Sequence, residues 1–268
     1  MNAVDRIDDG RYIRGFDDGS GVWSASVEQP GASVLRVRTT GSAPGDVHER
    51  LATMLGTTVD LAGWEERTRT FPWLYELTMR LRGMRPPRYP TIWEALCNAI
   101  VFQQISLLAA AAIMQRLVLR YSAGIHRGAT TLYPFPQAAA LAAASEDELR
   151  LLGLSRQKAT YLRAISRAFG SKGLEVSTLR AMPREDALEA LRELPGIGGW
   201  SAAVVLLRGC GRLDVFPRGD SGARAAIRAL SQGADADPDT VAERLGNLRG
   251  MLYFHLLLGR LEATRVTN

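Results

Sequence analysis

Three glycines and a proline crowd into five residues at Pro195-Gly196-Ile197-Gly198-Gly199, and the breaker-free apolar run Trp200–Leu207 follows at once. Glycine accepts positive φ and the run has good helical propensity, so this stretch must reverse tightly and open straight into a helix. Ile197 would pin the reversal to the core. The first turn of such a helix points its N–H groups outward at the positive end of the helix dipole, which makes a seat for an anion such as a phosphate. Bare glycines also let a polyanionic backbone come closer than any side chain would allow. An ordinary helix-start turn explains the same five residues, and both readings stay open at this point.

Asp220 is the second feature. It follows the turn-like Pro217-Arg218-Gly219 and precedes a helical pattern from Ser221 to about Leu230. A helix N-cap accounts for an aspartate in that place. A chemical role would need a carboxylate held charged in a partly dry cleft, where it stabilises a developing cation.

Around these features the chain reads in two parts. Residues 1–44 carry short β-prone runs at Val22–Glu28 and Ser33–Thr39, joined through Gln29-Pro30-Gly31-Ala32, with Arg11–Phe16 expected as an added edge strand. Such a ribbon must pack on something larger to be stable. Residues 45–268 form a body of successive helical patterns: 45–55, 59–67, 72–82, 91–102, 105–121, 136–143, 145–152, 155–169, 184–193, 199–208, 220–230, 238–247 and 250–262. Ser145 and Glu148 have capping-box spacing.

The charge of +5 and pI near 9.5 suit an anionic partner without requiring one. Of 33 basic residues only Lys158 and Lys172 are lysines, a skew that composition bias explains. Cys97 and Cys210, the two cysteines, have no metal-ligand spacing, so neither a disulfide framework nor a four-cysteine iron–sulfur cluster is expected. No apolar run approaches the roughly 20 residues of a membrane span. The N-terminus lacks a signal-peptide pattern, and a cytoplasmic, nucleoid-associated location is expected.

Four motifs in order carry a resemblance. LPGIGGWSA from Leu194 and the spacing to Asp220 are joined by YPTIWEALCNAIVFQQISL from Tyr89 and GLSRQKATYLRAISRAF from Gly153. Together they resemble the helix-hairpin-helix (HhH-GPD) DNA glycosylases, in the 3-methyladenine DNA glycosylase II branch, over about Arg88–Arg228. The resemblance implies a mostly α, two-lobed fold flanking a DNA cleft, with a small and here shortened N-terminal β-subdomain. It also implies a monomer that acts on double-stranded DNA containing a damaged base.

In that family Asp220 would be the catalytic aspartate, and the turn at Gln104 and Ile105 the plug that fills the gap left by an extruded nucleotide. Trp200 is the first choice for stacking the extruded base, ahead of Trp93, Phe102, Tyr133 and Tyr253. Backbone contacts would come from Gly196, Gly198 and Trp200, with Arg218, Arg224 and Lys158 as charges. Relatives that also cut the strand carry a lysine just after the hairpin glycines; Trp200 stands there, so simple hydrolysis without lyase activity is expected. No cofactor is expected, and whether the hairpin holds a metal ion stays open. His48, His126 and His255 lie outside the motifs. A non-catalytic DNA-binding module, or a glycosylase for oxidised or deaminated bases, is the alternative.

Overall fold

The computed structural model describes residues 4–19, 21–128, 130–169, 175–231 and 237–266. Four N-terminal strands form one antiparallel sheet in sequence order: β1 (Asp5–Asp8), β2 (Arg11–Asp17), β3 (Val22–Gly31) and β4 (Val34–Gly41). The expected ribbon is therefore larger than the alternation suggested. The run from Arg11 is an inner strand, because β1 adds a further edge beyond it. The ladder shifts register between Glu28 and Gly31, which carries Gln29 and Pro30 on along β3 and moves the turn to Ala32-Ser33. Trp23 is buried and stacks on Phe16 with ring centroids 4.0 Å apart.

The helices follow as α1 (Val47–Met54), α2 (Trp64–Thr68), α3 (Pro72–Arg80), α4 (Ile92–Val101) and α5 (Leu107–Tyr121). A two-stranded ribbon that periodicity did not reveal, β5 (Ile125–Arg127) and β6 (Thr130–Leu132), comes next. Gly15 of β2 lets it pack closely: a Cβ there would lie 3.0 Å from Ile125 and 3.3 Å from Leu132. Then come α6 (Ala138–Ala143), α7 (Glu146–Leu151), α8 (Arg156–Ala168), α9 (Val176–Ala181), α10 (Arg184–Arg192), α11 (Gly199–Val205), α12 (Ser221–Leu230), α13 (Pro238–Arg244) and α14 (Gly250–Val266). None of the described helices is long and apolar enough to cross a membrane.

Local chemistry sets many helix starts. Ser145 and Glu148 complete the capping box of α7, Ser155 caps α8, Ser106 caps α5, and Asp237 with Pro238 opens α13. Burial then fixes each helix in place. In α8 the side chains of Ala159, Leu162, Ile165 and Ser166 share the buried face, and a side chain such as Leu162 contributes about 1.5–3 kcal/mol by leaving water.

The chain divides into two compact units. One comprises residues 1–50 and 97–173, and its core includes Trp23, Ile100, Met114, Leu117, Leu141, Leu149 and Leu162. The other comprises residues 51–96 and 174–268, with Leu74, Leu77, Leu191, Val205, Met251 and Leu252 buried.

Candidate active site

In the second unit, α10 runs into the glycine reversal and out through α11. The N–H of Leu194 donates to Leu191 O and that of Ile197 to Leu194 O, each at 3.1 Å. Gly196 takes φ +78°, a left-handed conformation that favours glycine, and Ile197 is buried as the pin. Gly198 is different. Its φ of −88° suits any residue, and a Cβ on either Gly198 or Gly199 would meet nothing within 4 Å. Folding does not demand glycine at these two exposed positions; they leave open space over the first turn of α11.

Asp220 is the N-cap of α12, and its Oδ1 accepts the Ala223 N–H at 2.8 Å. The capping role is therefore real, but it occupies one oxygen. Oδ2 accepts the indole Nε1–H of Trp200 at 2.9 Å, across 20 residues of sequence. Both side chains are half-buried. Each carboxylate oxygen has capacity for a second partner, so the group is oriented from two sides and can still face a ligand.

Three further residues gather here. Between α11 and Gly211 the helix widens into a π turn, Leu206–Cys210, where the helical pattern suggested an unbroken helix. The Arg208 carbonyl accepts the Tyr89 N–H at 2.7 Å, and the Arg208 guanidinium lies over the Tyr89 ring at 4.4 Å. Tyr253 of α14 accepts a hydrogen bond from Arg208. Burial pushes its phenol up, the Arg208 charge opposes that, and the Asp220 charge adds to it. Arg260, seven residues along α14 from Tyr253, passes over Gly222: a Cβ on that glycine would lie 2.0 Å from Arg260 Nη1 and 3.0 Å from Asp220 Oδ1. Arg208 and Arg260 escaped the reading of the sequence. The one signal was Gly222, a poor helix former in the first turn of α12.

Arg218 pairs with Glu243 at 2.8 Å and Arg224 with Asp237 at 3.3 Å, all on exposed side chains. A groove of about 420 Å³ next to α11 is lined by Gly199, Ala203, Phe216 and Arg218 among others, and by neither Trp200 nor Asp220. In the first unit, Gln104 and Ile105 are exposed in the turn between α4 and α5. Lys158 is half-buried, and its Nζ donates to Val101 O at 2.8 Å and Gln103 O at 2.7 Å. The expected backbone ligand is thus engaged with its own chain. Lys172 lies outside the described residues.

Trp93 is buried in α4, Phe102 and Tyr133 are half-buried in the first unit, and His255 is buried in the core of the second. His48 and His126 are exposed. Among the described residues no group of three or more His, Cys, Asp and Glu side chains is arranged to hold a metal ion.

Residues 97–249 match the profile described as HhH-GPD superfamily base excision DNA repair protein. The DNA-3-methyladenine glycosylase of Bacillus subtilis is 28% identical over 171 residues, which are 64% of this chain and 56% of that protein. The chain spans about half the length of the curated relatives it matches. Among solved structures, the 3-methyladenine DNA glycosylase of Archaeoglobus fulgidus superposes with a TM-score of 0.80 at 24% identity, covering 96% of this chain and 90% of that one. The 8-oxoguanine glycosylase/lyase of Clostridium acetobutylicum, solved with double-stranded DNA, gives 0.78 at 16% identity, covering 97% and 88%. At these identities the two structures establish a shared fold.

Proposed function

Because the chain belongs to the HhH-GPD superfamily of base excision DNA repair proteins, we propose that it is a monomeric DNA glycosylase that hydrolyses the N-glycosidic bond of alkylated purines in double-stranded DNA. The observation that supports this most is the pairing of Asp220 with Trp200: one carboxylate, held from two sides, beside an aromatic ring at the start of the hairpin helix.

In this reading the damaged nucleotide leaves the duplex, Gln104 and Ile105 fill the gap in the stack, and the base stacks on the Trp200 ring. Loss of the base puts oxocarbenium character on the sugar, which the Asp220 carboxylate stabilises and against which it orients the attacking water. A purine alkylated at N3 or N7 already carries positive charge and departs without a strong acid. The backbone is gripped at Gly196, Gly198 and Trp200, while Arg218 and Arg224 exchange weak surface ion pairs for phosphates.

The space above Gly198 provides a direct check. Gly198→Ala should change the unfolding free energy by less than about 1 kcal/mol, because the backbone there suits alanine. It should weaken binding to an abasic-site duplex about tenfold or more, since the methyl group enters the space kept for the strand. Urea unfolding and fluorescence anisotropy read the two effects; unchanged affinity would remove the hairpin from the interface.

A glycosylase/lyase, like the Clostridium neighbour, is the second reading. Trp200 occupies the position after the hairpin glycines, and Lys158 is held by two carbonyls, so no described amine is poised for a Schiff base. Incubation with a duplex containing 7-methylguanine should release the base and leave an alkali-labile site with no nick before alkali. A covalent protein–DNA adduct trapped by borohydride would favour the lyase reading. Tight binding without release would favour a non-catalytic module.

A further inference from the structure

We infer that Lys158 is a positioning residue that holds Gln104 in the conformation needed to enter the base stack, an inference that rests on the glycosylase reading above. Gln104 takes φ +54°, and Asp9 is the only other described non-glycine residue with positive φ. An L-residue stays in that region only if its surroundings hold it there. The surroundings here are specific. Helix α4 ends at Val101, and the carbonyls of Val101 and Gln103 flank the approach to Gln104 at the negative end of the helix dipole. Both are gathered by one ammonium, Lys158 Nζ, at 2.8 and 2.7 Å.

Lys158 comes from the first turn of α8, more than 50 residues further along the chain. Its backbone N–H donates to the Ser155 cap at 3.3 Å, and the neighbouring Ala159 and Leu162 are fully buried. The clamp therefore has a buried base, and it acts on the exposed turn of Gln104 and Ile105.

Composition strengthens the case. Where the chain needs a cation it uses arginine almost everywhere, with lysine at only two of 33 basic positions. At position 158 two acceptors converge on one nitrogen. A compact ammonium with three donors meets them, whereas a planar guanidinium spreads its donors over a fork. One of the two exceptions to the arginine bias falls where the geometry calls for a point donor.

The test compares unaltered protein with Gln104→Ala, Lys158→Met, Lys158→Arg and the Gln104→Ala/Lys158→Met double variant. Single-turnover base release is measured on 7-methylguanine paired with cytosine and on 7-methylguanine in a one-nucleotide bulge, where extrusion breaks no base pair and leaves no gap opposite a partner base. Lys158→Met should lose about tenfold on the paired substrate, as Gln104→Ala does, and at least about fivefold less on the bulge. The double variant should fall no further than either single one, because both changes remove the same plug. Lys158→Arg should fail to restore release on the paired duplex. Equal losses on the two substrates, additive losses in the double variant, or full activity of Lys158→Arg would each overturn the inference. If unaltered protein releases nothing from either duplex, the glycosylase reading itself falls and takes the inference with it.

Discussion

Asp220→Asn should lower single-turnover release of an alkylated purine by about 10²–10³-fold, the usual cost of removing one preorganised electrostatic group at a site of developing charge. The substitution is informative because it spares the fold. Asparagine is as good an N-cap as aspartate, so the carboxamide oxygen can still accept the Ala223 N–H now bound by Oδ1. What it cannot do is keep the charge, or accept from Trp200 Nε1 with its remaining NH2 group. Unfolding free energy should therefore change by about 1 kcal/mol or less, and affinity for an abasic-site duplex should stay within a few-fold of the unaltered protein. Release that survives at the original rate would remove the carboxylate from the chemistry and leave it a helix cap.

The second large effect concerns stability and pH. His255 is buried, its Nδ1–H donates to Met251 O at 2.9 Å, and its Nε2 accepts the indole N–H of Trp64 at 3.3 Å. Both ring nitrogens are thus committed in the neutral tautomer, and burial pushes the imidazole down to about 4 from its ordinary 6.5. Above pH 6.5 the histidine is neutral in both the folded and unfolded chain and contributes no pH dependence. Between pH 6.5 and about 4 the unfolded chain binds a proton that the folded chain refuses, so stability falls as the pH falls and levels off below about 4. The loss integrates to about 3 kcal/mol. Urea unfolding at pH 7, 5.5 and 4.5, compared with His255→Gln, isolates this contribution from that of the carboxylates. Parallel pH profiles for the two proteins would show that the histidine is not the group responsible.

These effects sit at different depths of what a sequence reveals. The hairpin, the cap at Asp220, the capping box at Ser145 and the order of the helices depend on residues within about four positions of one another, and so does the left-handed turn at Gly196. Glycine's tolerance of positive φ, a side-chain oxygen at an N-cap and the 3.6-residue period act over that range and leave a direct trace in the order of residues. Where local pattern failed, a distant contact had intervened. The π turn at Leu206–Cys210 interrupts a run with every mark of an ordinary helix, and it coincides with the hydrogen bond from Tyr89 to the Arg208 carbonyl. The β5–β6 ribbon consists of two three-residue strands, too short for alternation to register, and the missing side chain of Gly15 lets it pack closely against β2.

By itself, the order of residues determined the family, the succession of helices after a small sheet, and the choice of Asp220 and Trp200 as the residues to watch. Only the tertiary structure decided that the Trp200 indole grips the second oxygen of Asp220, that Arg208, Tyr253 and Arg260 gather in their neighbourhood, and that Lys158 turns to two carbonyls of its own chain. The reason is range. A cap or a turn is settled by neighbours in the chain, whereas a hydrogen bond across 20 or 57 residues depends on how helices pack and which rotamers that packing allows, and neither quantity has a period to read.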